Sequence, residues 1–293
     1  MTQLTKMKPA TGCKGPALAF ALAAAVGAAI AAPLAPAGAA TPQEIRELSD
    51  ALGLPEILQV MVAEGRDYGD EMEGQLFPGR GGASWDGVVA GIYDVQDMGA
   101  SIEAVLNQQL ADVDLDPMLE FFTTERGRRI IRFEVSARQA MMDADIEDAA
   151  KDSYRAMRRQ NDPRLEKLDE FAAVNDLVEF NVMGAMNASY AFSLGLMDGN
   201  AFDGSLTEDQ ILADVWAQED QIRADTEDWL FGFLAMAYRP LEKDDLQSYI
   251  DISETQAGQA MNRALFAAFD ETYTGISRQL GLAATRFMVG EDI

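Results

Sequence analysis

Two stretches of the chain share one pattern of residue types, from which the fold is predicted. Residues 114–134 read DLDPMLEFFTTERGRRIIRFE, and residues 245–265, which begin 131 positions later, read DLQSYIDISETQAGQAMNRAL. Aligned without gaps, the stretches are identical at five positions and apolar in both copies at three more. A recurrence of this kind predicts two similar helical units in one chain. The identical pairs are Asp114/Asp245, Leu115/Leu246, Thr124/Thr255, Gly127/Gly258 and Arg132/Arg263, and the apolar pairs are Leu119/Ile250, Phe121/Ile252 and Ile130/Met261.

Each stretch contains a threonine followed three positions later by a glycine. Thr124 and Thr255 are predicted to cap helices, because a threonine hydroxyl accepts a hydrogen bond from an unpaired amide of the first turn. Gly127 and Gly258 then fall inside those helices, where glycine costs roughly 0.5–1 kcal/mol relative to alanine. We interpret the glycines as points where another backbone comes close, and a catalytic or ligand-binding role is the alternative.

The first stretch resembles a family of exported bacterial proteins, the domain of unknown function 2059. Members of this family carry an apolar-aromatic pair, a Ser or Thr, and then a Gly followed by basic residues, and residues 121–129 read FFTTERGRR. The second stretch differs, with Ser253 at the second aromatic position and Gln259 and Ala260 at the basic pair. The resemblance implies an exported, mainly helical domain, and it implies no catalytic residues.

The first forty residues are predicted to be a cleaved secretory signal. Lys6, Lys8 and Lys14 form a basic start, residues 17–32 are apolar and rich in alanine, and residues 38–40 are small enough for cleavage. The sequence after residue 40 reads TPQE, which is typical of a capped helix start. The predicted location is the periplasm.

The residue types that are missing exclude several kinds of chemistry. Cys13 is the only cysteine, it lies within the predicted signal, and the chain has no histidine. The mature chain would therefore lack disulfides, thiol chemistry, His-based triads and the usual zinc or copper sites. No cofactor is predicted.

The predicted mature chain is strongly acidic. It keeps 20 basic and 49 acidic side chains, a net charge of −29, which argues against nucleic acid and anionic lipid as partners. Residues 126–167 are the exception, with 11 basic and 8 acidic side chains. The apolar stretches 182–197 and 229–238 are too short to span a bilayer and are predicted to form central buried helices.

Apolar residues recur with helical spacing along the mature chain, and no segment alternates with period two. We therefore predict an all-α, multi-helix bundle built from two similar helical units, residues 41–160 and 161–293. The boundary is placed at the Asn-Asp-Pro turn of residues 161–163. Gly99 is expected to interrupt one helix, and Gly281 is expected to end another.

Two acidic clusters were considered as metal sites. A helical calcium loop needs oxygens at alternate positions and a glycine at the sixth, and neither cluster has this pattern. A solvated helix face and a polar turn are the favoured interpretations, and no metal site is predicted. The clusters are Asp143, Asp145, Glu147, Asp148 and Asp152, and Asp198, Asn200, Asp203 and Asp209.

The arginines of the basic segment are the most distinctive polar group. They predict either a surface for an anion or an acidic partner, since guanidinium groups suit carboxylates and phosphates, or pairing with the protein's own carboxylates, which we favour. These residues are Arg126, Arg128, Arg129, Arg132, Arg155, Arg158 and Arg159.

The leading functional hypothesis is a non-catalytic scaffold or partner-binding module of the bacterial cell envelope. Its partner would be an envelope protein or an acidic ligand. A hydrolase that works through carboxylates alone is the first alternative, and it requires two acids facing each other across a pocket. An acidic cation-binding protein is the second alternative.

Overall fold

The computed structural model describes residues 40–202 and 204–290, and all the regular elements in these ranges are helices. The predicted all-α class is confirmed. The predicted signal lies outside the described residues, apart from Ala40. The helices are α1 (Pro42–Ala51), α2 (Leu54–Leu76), α3 (Gly82–Ile92), α4 (Val95–Gln109), α5 (Asp116–Phe122), α6 (Glu125–Ala140), α7 (Ala144–Gln160), α8 (Leu165–Val174), α9 (Leu177–Asp198), α10 (Glu208–Trp216), α11 (Glu219–Ala237), α12 (Lys243–Ser253) and α13 (Gln256–Val289).

The first helix begins where the local sequence predicts it. The Thr41 hydroxyl accepts a hydrogen bond from the Glu44 amide at 3.2 Å, and the Glu44 carboxylate accepts one from the Thr41 amide at 2.7 Å. Pro42 occupies the first helical position, where its missing amide leaves no bond unmade. This reciprocal pair is a capping box, which satisfies two amides at the helix start.

The expected interruption at Gly99 is wrong. Gly99 lies inside α4, and the chain breaks earlier, between α3 and α4 at Tyr93 and Asp94. The Asp94 carboxylate accepts hydrogen bonds from the amides of Gln96 and Asp97 at 2.8 and 3.1 Å. A capping aspartate therefore outweighs the modest cost of one interior glycine.

The expected helix end at Gly281 is also wrong, because α13 continues to Val289. A Cβ on Gly281 would collide with the Phe192 carbonyl of α9, and a Cβ on Gly195 would collide with the Arg278 carbonyl of α13. These two glycines let the long helices α9 and α13 cross closely. The helix ends instead at Gly290, whose φ of +76° is the left-handed conformation that glycine favours.

The core is shared by helices on both sides of the predicted unit boundary. Helix α13 packs on α4 and α9, and α11 packs on α7, α6 and α9. The large buried apolar side chains form one cluster that includes Trp85 and Phe122 before the boundary and Phe171 and Tyr249 after it. The division into two similar units stays a prediction.

Helices α9 and α11 hold the two apolar stretches that were predicted to be buried. In α11, Leu230 and residues 232–235 are buried, whereas α9 buries Val182 and exposes the neighbouring Met183. None of the helices in the described ranges combines the length and the apolar character that crossing a bilayer requires.

Candidate functional site

The first of the two recurring stretches forms a tight corner between α5 and α6. The Thr124 hydroxyl accepts a hydrogen bond from the Gly127 amide at 3.1 Å and donates one to the Phe121 carbonyl at 2.7 Å. A Cβ on Gly127 would overlap the Phe121 carbonyl oxygen and the Cα of Phe122. The glycine therefore lets the end of α5 lie against the first turn of α6.

The second stretch forms a corner with the same bonds between α12 and α13. The Thr255 hydroxyl accepts from the Gly258 amide at 3.0 Å and donates to the Ile252 carbonyl at 2.7 Å. A Cβ on Gly258 would overlap the backbone of Ile252 and Ser253. In both corners the threonine caps the second helix, and the glycine lets the backbone of the preceding helix come close.

The two corners are joined by aromatic contacts. The Tyr249 ring of α12 stacks on Phe121, with centroids 5.9 Å apart, and meets Phe122 edge-on at 5.9 Å. Phe171 of α8 contacts the same tyrosine ring at 4.9 Å. These contacts place α12 against the first corner.

Two of the predicted site arginines also join the corners. Arg126 donates to the Asp245 carboxylate at 2.9 Å and to the Ser248 hydroxyl at 2.8 Å, and Arg129 donates to the same carboxylate. The Asp245 side chain is only 8% exposed, and its burial opposes ionisation, but the hydrogen bonds from Arg129 and Arg126 lower its pKa. These arginines are therefore occupied within the protein.

Two further site arginines, on α7, are also paired within the chain. Arg155 binds Asp228 of α11 at 2.6 Å and Asp152 of its own helix at 2.9 Å. Arg158 lies 3.4 Å from Asp169 of α8. These distances fit the interpretation that the arginines pair with the protein's own carboxylates.

Arg128, Arg132 and Arg159 are exposed and make no ion pair within the described residues. Arg128 lines an open groove of about 780 Å³ between α1, α5 and the start of α6. Carboxylates outnumber this arginine in the groove by four to one, so this groove beside the first corner is acidic. The groove is lined by Glu47, Asp50, Ala51, Asp116, Leu119, Glu120, Thr123 and Arg128.

A buried carboxyl group that the sequence did not reveal lies in α6. Glu134 accepts a hydrogen bond from the Tyr238 hydroxyl, and Tyr249 also bonds it. Burial raises the pKa of Glu134 to about 8, although both tyrosines act in the opposite direction. Burial and the two tyrosines are what shift its pKa, whereas a carboxylate-based hydrolase requires two opposed acids.

A second buried polar pair ties α2 to α6 and α11. Arg138 is 4% exposed and forms two hydrogen bonds of 2.7 Å with the Glu64 carboxylate. Its guanidinium also lies over the Trp229 ring, 5.4 Å from the centroid. A bidentate ion pair between a guanidinium and a carboxylate, packed against an aromatic ring, is a typical arrangement for a buried charge.

The acidic clusters considered as metal sites have other roles. Asp143 caps α7, Glu147 pairs with Lys151, and Asp198 pairs with Arg278 at 2.8 Å. Asp203 lies outside the described residues. Within the described ranges, no group of three or more Asp, Glu, His or Cys side chains could hold a metal ion.

The surface that sequence reasoning missed lies on α10 and the adjoining part of α9. Leu212 and Trp216 of α10 are 43% and 59% exposed, and Met183 of α9 is 55% exposed. These are three of the six large apolar side chains that the described residues expose. We name this surface, formed by Met183, Leu212 and Trp216, the α10 face.

Comparison with known proteins gives one finding. Residues 96–153 match a protein family described as "Uncharacterized protein conserved in bacteria (DUF2059)". The matched range runs from α4 into α7 and contains the first corner, which supports the resemblance noted for residues 121–129, whereas the second corner lies outside it. No curated protein and no solved structure matches the chain.

Proposed function

We propose that this protein is an exported, non-catalytic partner-binding module of the bacterial cell envelope. The observation that carries the proposal is the α10 face, where Leu212 and Trp216 are exposed one helical turn apart on α10 and Met183 is exposed on α9, against which α10 packs. Exposed apolar patches on soluble proteins mark interaction sites, and tryptophan is enriched among the residues that dominate binding energy.

The placement of the acids supports a non-catalytic role. The buried or half-buried carboxylates of Glu64 and Asp245 pair with arginines, and Glu134 contacts two tyrosines. Asp270, whose pKa is raised by burial, accepts a hydrogen bond from Asn187 at 2.9 Å. Each of these acids binds a neighbouring side chain, and none of the four lines the groove beside the first corner.

Export is proposed from the sequence of residues 1–40 and from what the resemblance of residues 121–129 implies. Expressed in a bacterium, the protein should be recovered from the periplasmic fraction. Its measured intact mass should correspond to a chain that begins at Thr41. A mass that includes residues 1–40, in a protein recovered from the cytoplasm, would contradict this part of the proposal.

Partner binding is tested by comparing two baits. The wild-type protein and the Leu212→Ser/Trp216→Ser variant are crosslinked in envelope fractions under the same conditions, and the recovered proteins are quantified. We expect at least one partner to be recovered with the wild type and to fall by roughly tenfold or more with the variant. Val289→Ser is the matched control, because Val289 is 64% exposed at the far end of α13.

Arg128 and Arg132, which make no ion pair within the described residues, are proposed as a secondary contact for the partner. Arg128 and Arg132 are one helical turn apart on the exposed face of α6. Two like charges in this position repel each other slightly, so an acidic group between them would be bound favourably. If recovery of the partner is unchanged by Arg128→Ala/Arg132→Ala, this contact is not used.

A further inference from the structure

Two of the three apolar residues of the α10 face, Leu212 and Trp216, lie along one edge of α10. Glu208, Leu212 and Trp216 follow one another at intervals of four residues, so they share one side of the helix. The Glu208 carboxylate accepts a hydrogen bond from the Tyr190 hydroxyl of α9 at 2.6 Å. The side of α10 that carries Leu212 and Trp216 therefore borders α9.

The position of Met183 follows from two bonds that fix the register of α9. Glu208 is bonded to Tyr190 of α9. Arg223, which comes later in the chain, is bonded to Glu179, which comes earlier in α9, at 2.5 and 2.9 Å. The segment thus runs antiparallel to α9. Met183 lies four residues after Glu179 and seven before Tyr190 on the same side of α9, so it falls between the two positions that bond the 208–223 segment.

The charges carried by residues 204–222 are all negative, and the next basic residue in the chain, Arg223, is already paired with Glu179 and Glu219. Residues 204–222 contain five acids and no basic residue. Asp209 and Asp214 are exposed on α10 itself, and Asp220 is exposed just beyond it. The five acids are Glu208, Asp209, Asp214, Glu219 and Asp220.

Helix α10 is also held in place before any partner arrives. Thr207 and Gln210 form a capping box at its start, and the buried side chains of Ile211 and Val215 fix its inner side. A preformed helix presents its exposed side chains without a large ordering cost.

From this arrangement we infer that the α10 face binds a cationic amphipathic helix of a partner protein. Apolar residues of the partner helix contact Met183, Leu212 and Trp216, and its flanking lysines and arginines lie opposite Glu208, Asp209 and Asp220. This mode is the packing of an amphipathic helix into an apolar groove, with charge complementarity selecting the partner. The inference rests on the proposed partner-binding function and adds the chemistry of the partner.

The other two occupants of an apolar face fit the charges less well. In a symmetric pair of identical chains the same surface meets itself, so the five acids would face five acids. An anionic membrane surface would repel the same acids. A cationic partner is the one occupant for which both the apolar and the charged parts of the surface are complementary.

The experiment uses a synthetic helical peptide as the probe. It has about 18 residues, five helical turns, with leucine along one side and lysine along the other, and no tryptophan. Binding to the purified protein is measured by calorimetry and by the emission of Trp216, which should shift to shorter wavelength on contact. A second peptide carries glutamate in place of lysine, and a third has the leucines and lysines scrambled so that no apolar side forms.

The expected result is binding of the leucine-lysine peptide alone. Leu212→Ser/Trp216→Ser should weaken it by roughly tenfold or more, and Asp209→Asn/Asp220→Asn by about three- to tenfold. Two control variants should bind as the wild type does: Val289→Ser, and Asp67→Asn/Asp70→Asn, which removes two exposed acids from α2. All substituted residues are exposed, and circular dichroism with thermal unfolding checks that each variant is folded.

Five results would overturn the inference. Equal loss with the α2 variant would mean that the peptide binds the acidic surface in general. Equal binding of the glutamate or the scrambled peptide would exclude charge or helix recognition. Self-association abolished by Leu212→Ser/Trp216→Ser would identify a second copy as the occupant, and binding to anionic vesicles lost in the same variant would identify a membrane. An envelope partner that crosslinks through this face but lacks a basic helix would uphold the proposed function and overturn the inference.

Discussion

The two helix corners, residues 121–127 and 252–258, have the same hydrogen bonds and different surroundings. Each threonine hydroxyl bonds a glycine amide and a carbonyl of the preceding helix at nearly equal distances. Arg126, Arg128 and Arg129 belong to the first corner, whereas the second has Ala257, Gln259 and Ala260 at the same positions. Asp245 of the second stretch provides the carboxylate that binds two of these arginines. The shared residues therefore build the corners, and the residues that differ connect them.

The largest effect is expected from the shared glycines. Gly127→Ala and Gly258→Ala each place a Cβ against the backbone of the preceding helix, so both should reduce the free energy of unfolding by about 3 kcal/mol, the upper range for an overpacked site. Denaturant unfolding measures this change. Gly91→Ala is the control, because Gly91 is exposed in α3 with open space around it, and it should stabilise the protein by about 0.5–1 kcal/mol. If all three variants behave alike, neither corner requires its glycine.

The next largest effect on stability is expected from Asp245 and Asp114, the first pair of residues that the two stretches share. Asp245→Asn removes the charge that Arg126 and Arg129 share and should cost about 2 kcal/mol. Asp114→Asn should be nearly neutral, because the exposed Asp114 only accepts a bond from the Asp116 amide, which asparagine can replace.

Asp245 is also expected to make the stability of the protein depend on pH in the acidic range. The pKa of Asp245 is lower in the folded protein than its usual value of 3.8, so its contribution is complete above that value and is lost as the pH falls through the folded pKa. Stability measured from about pH 6 downward should therefore decrease less steeply in Asp245→Asn than in the wild type. A parallel decrease in both proteins would contradict the pairing.

A third effect concerns Glu134, which follows the first corner, whereas the buried Leu265 occupies the corresponding position after the second. The pKa of Glu134 in the folded protein is about 8, above its usual value of 4.5, so the Glu134 carboxyl group holds its proton more tightly in the folded state. Stability should fall as the pH rises from about 5 to 8, by no more than about 1.4 kcal/mol per pH unit. Glu134→Gln should flatten this slope. An unchanged slope would show that Glu134 does not carry the proton.

The smallest effect compares the two caps. Thr124→Ala and Thr255→Ala should each cost about 1 kcal/mol, the usual value for a lost N-terminal cap. Because the hydroxyl bonds of the two corners differ by no more than 0.1 Å, the costs should agree closely. Thermal unfolding measures them, and Thr123→Ala is the adjacent control, since Thr123 bonds only the Leu119 carbonyl within α5. A cost at one corner alone would show that the corners are not equivalent.

Local features of the chain were readable from the sequence because their causes are local. Helical spacing predicted the all-α class, and the TPQE run predicted the start of α1. The role of Gly281 was misread, since only the crossing with α9 shows why a glycine stands inside α13. The pairing of Arg126 with Asp245 spans 119 residues, and no sequence pattern indicates it.

The α10 face was missed for a different physical reason. Ile211, Leu212, Val215 and Trp216 together look like the inner side of an amphipathic helix, and such a pattern predicts burial. In the structure only Ile211 and Val215 are buried, so α10 has an inner apolar edge and an outer one. Exposure of this kind depends on how the helix is rotated against α9, which the pattern alone does not determine.

The corners are framework, and the central claim is that the protein binds its partner through the α10 face. The most direct measurement introduces a photo-crosslinking amino acid at position 216, at 128 beside the first corner, or at 263 beside the second, in living bacteria. We expect a discrete crosslinked species from position 216 and none of comparable yield from position 263. Crosslinking from position 128 or 263, with none from 216, would contradict the central claim.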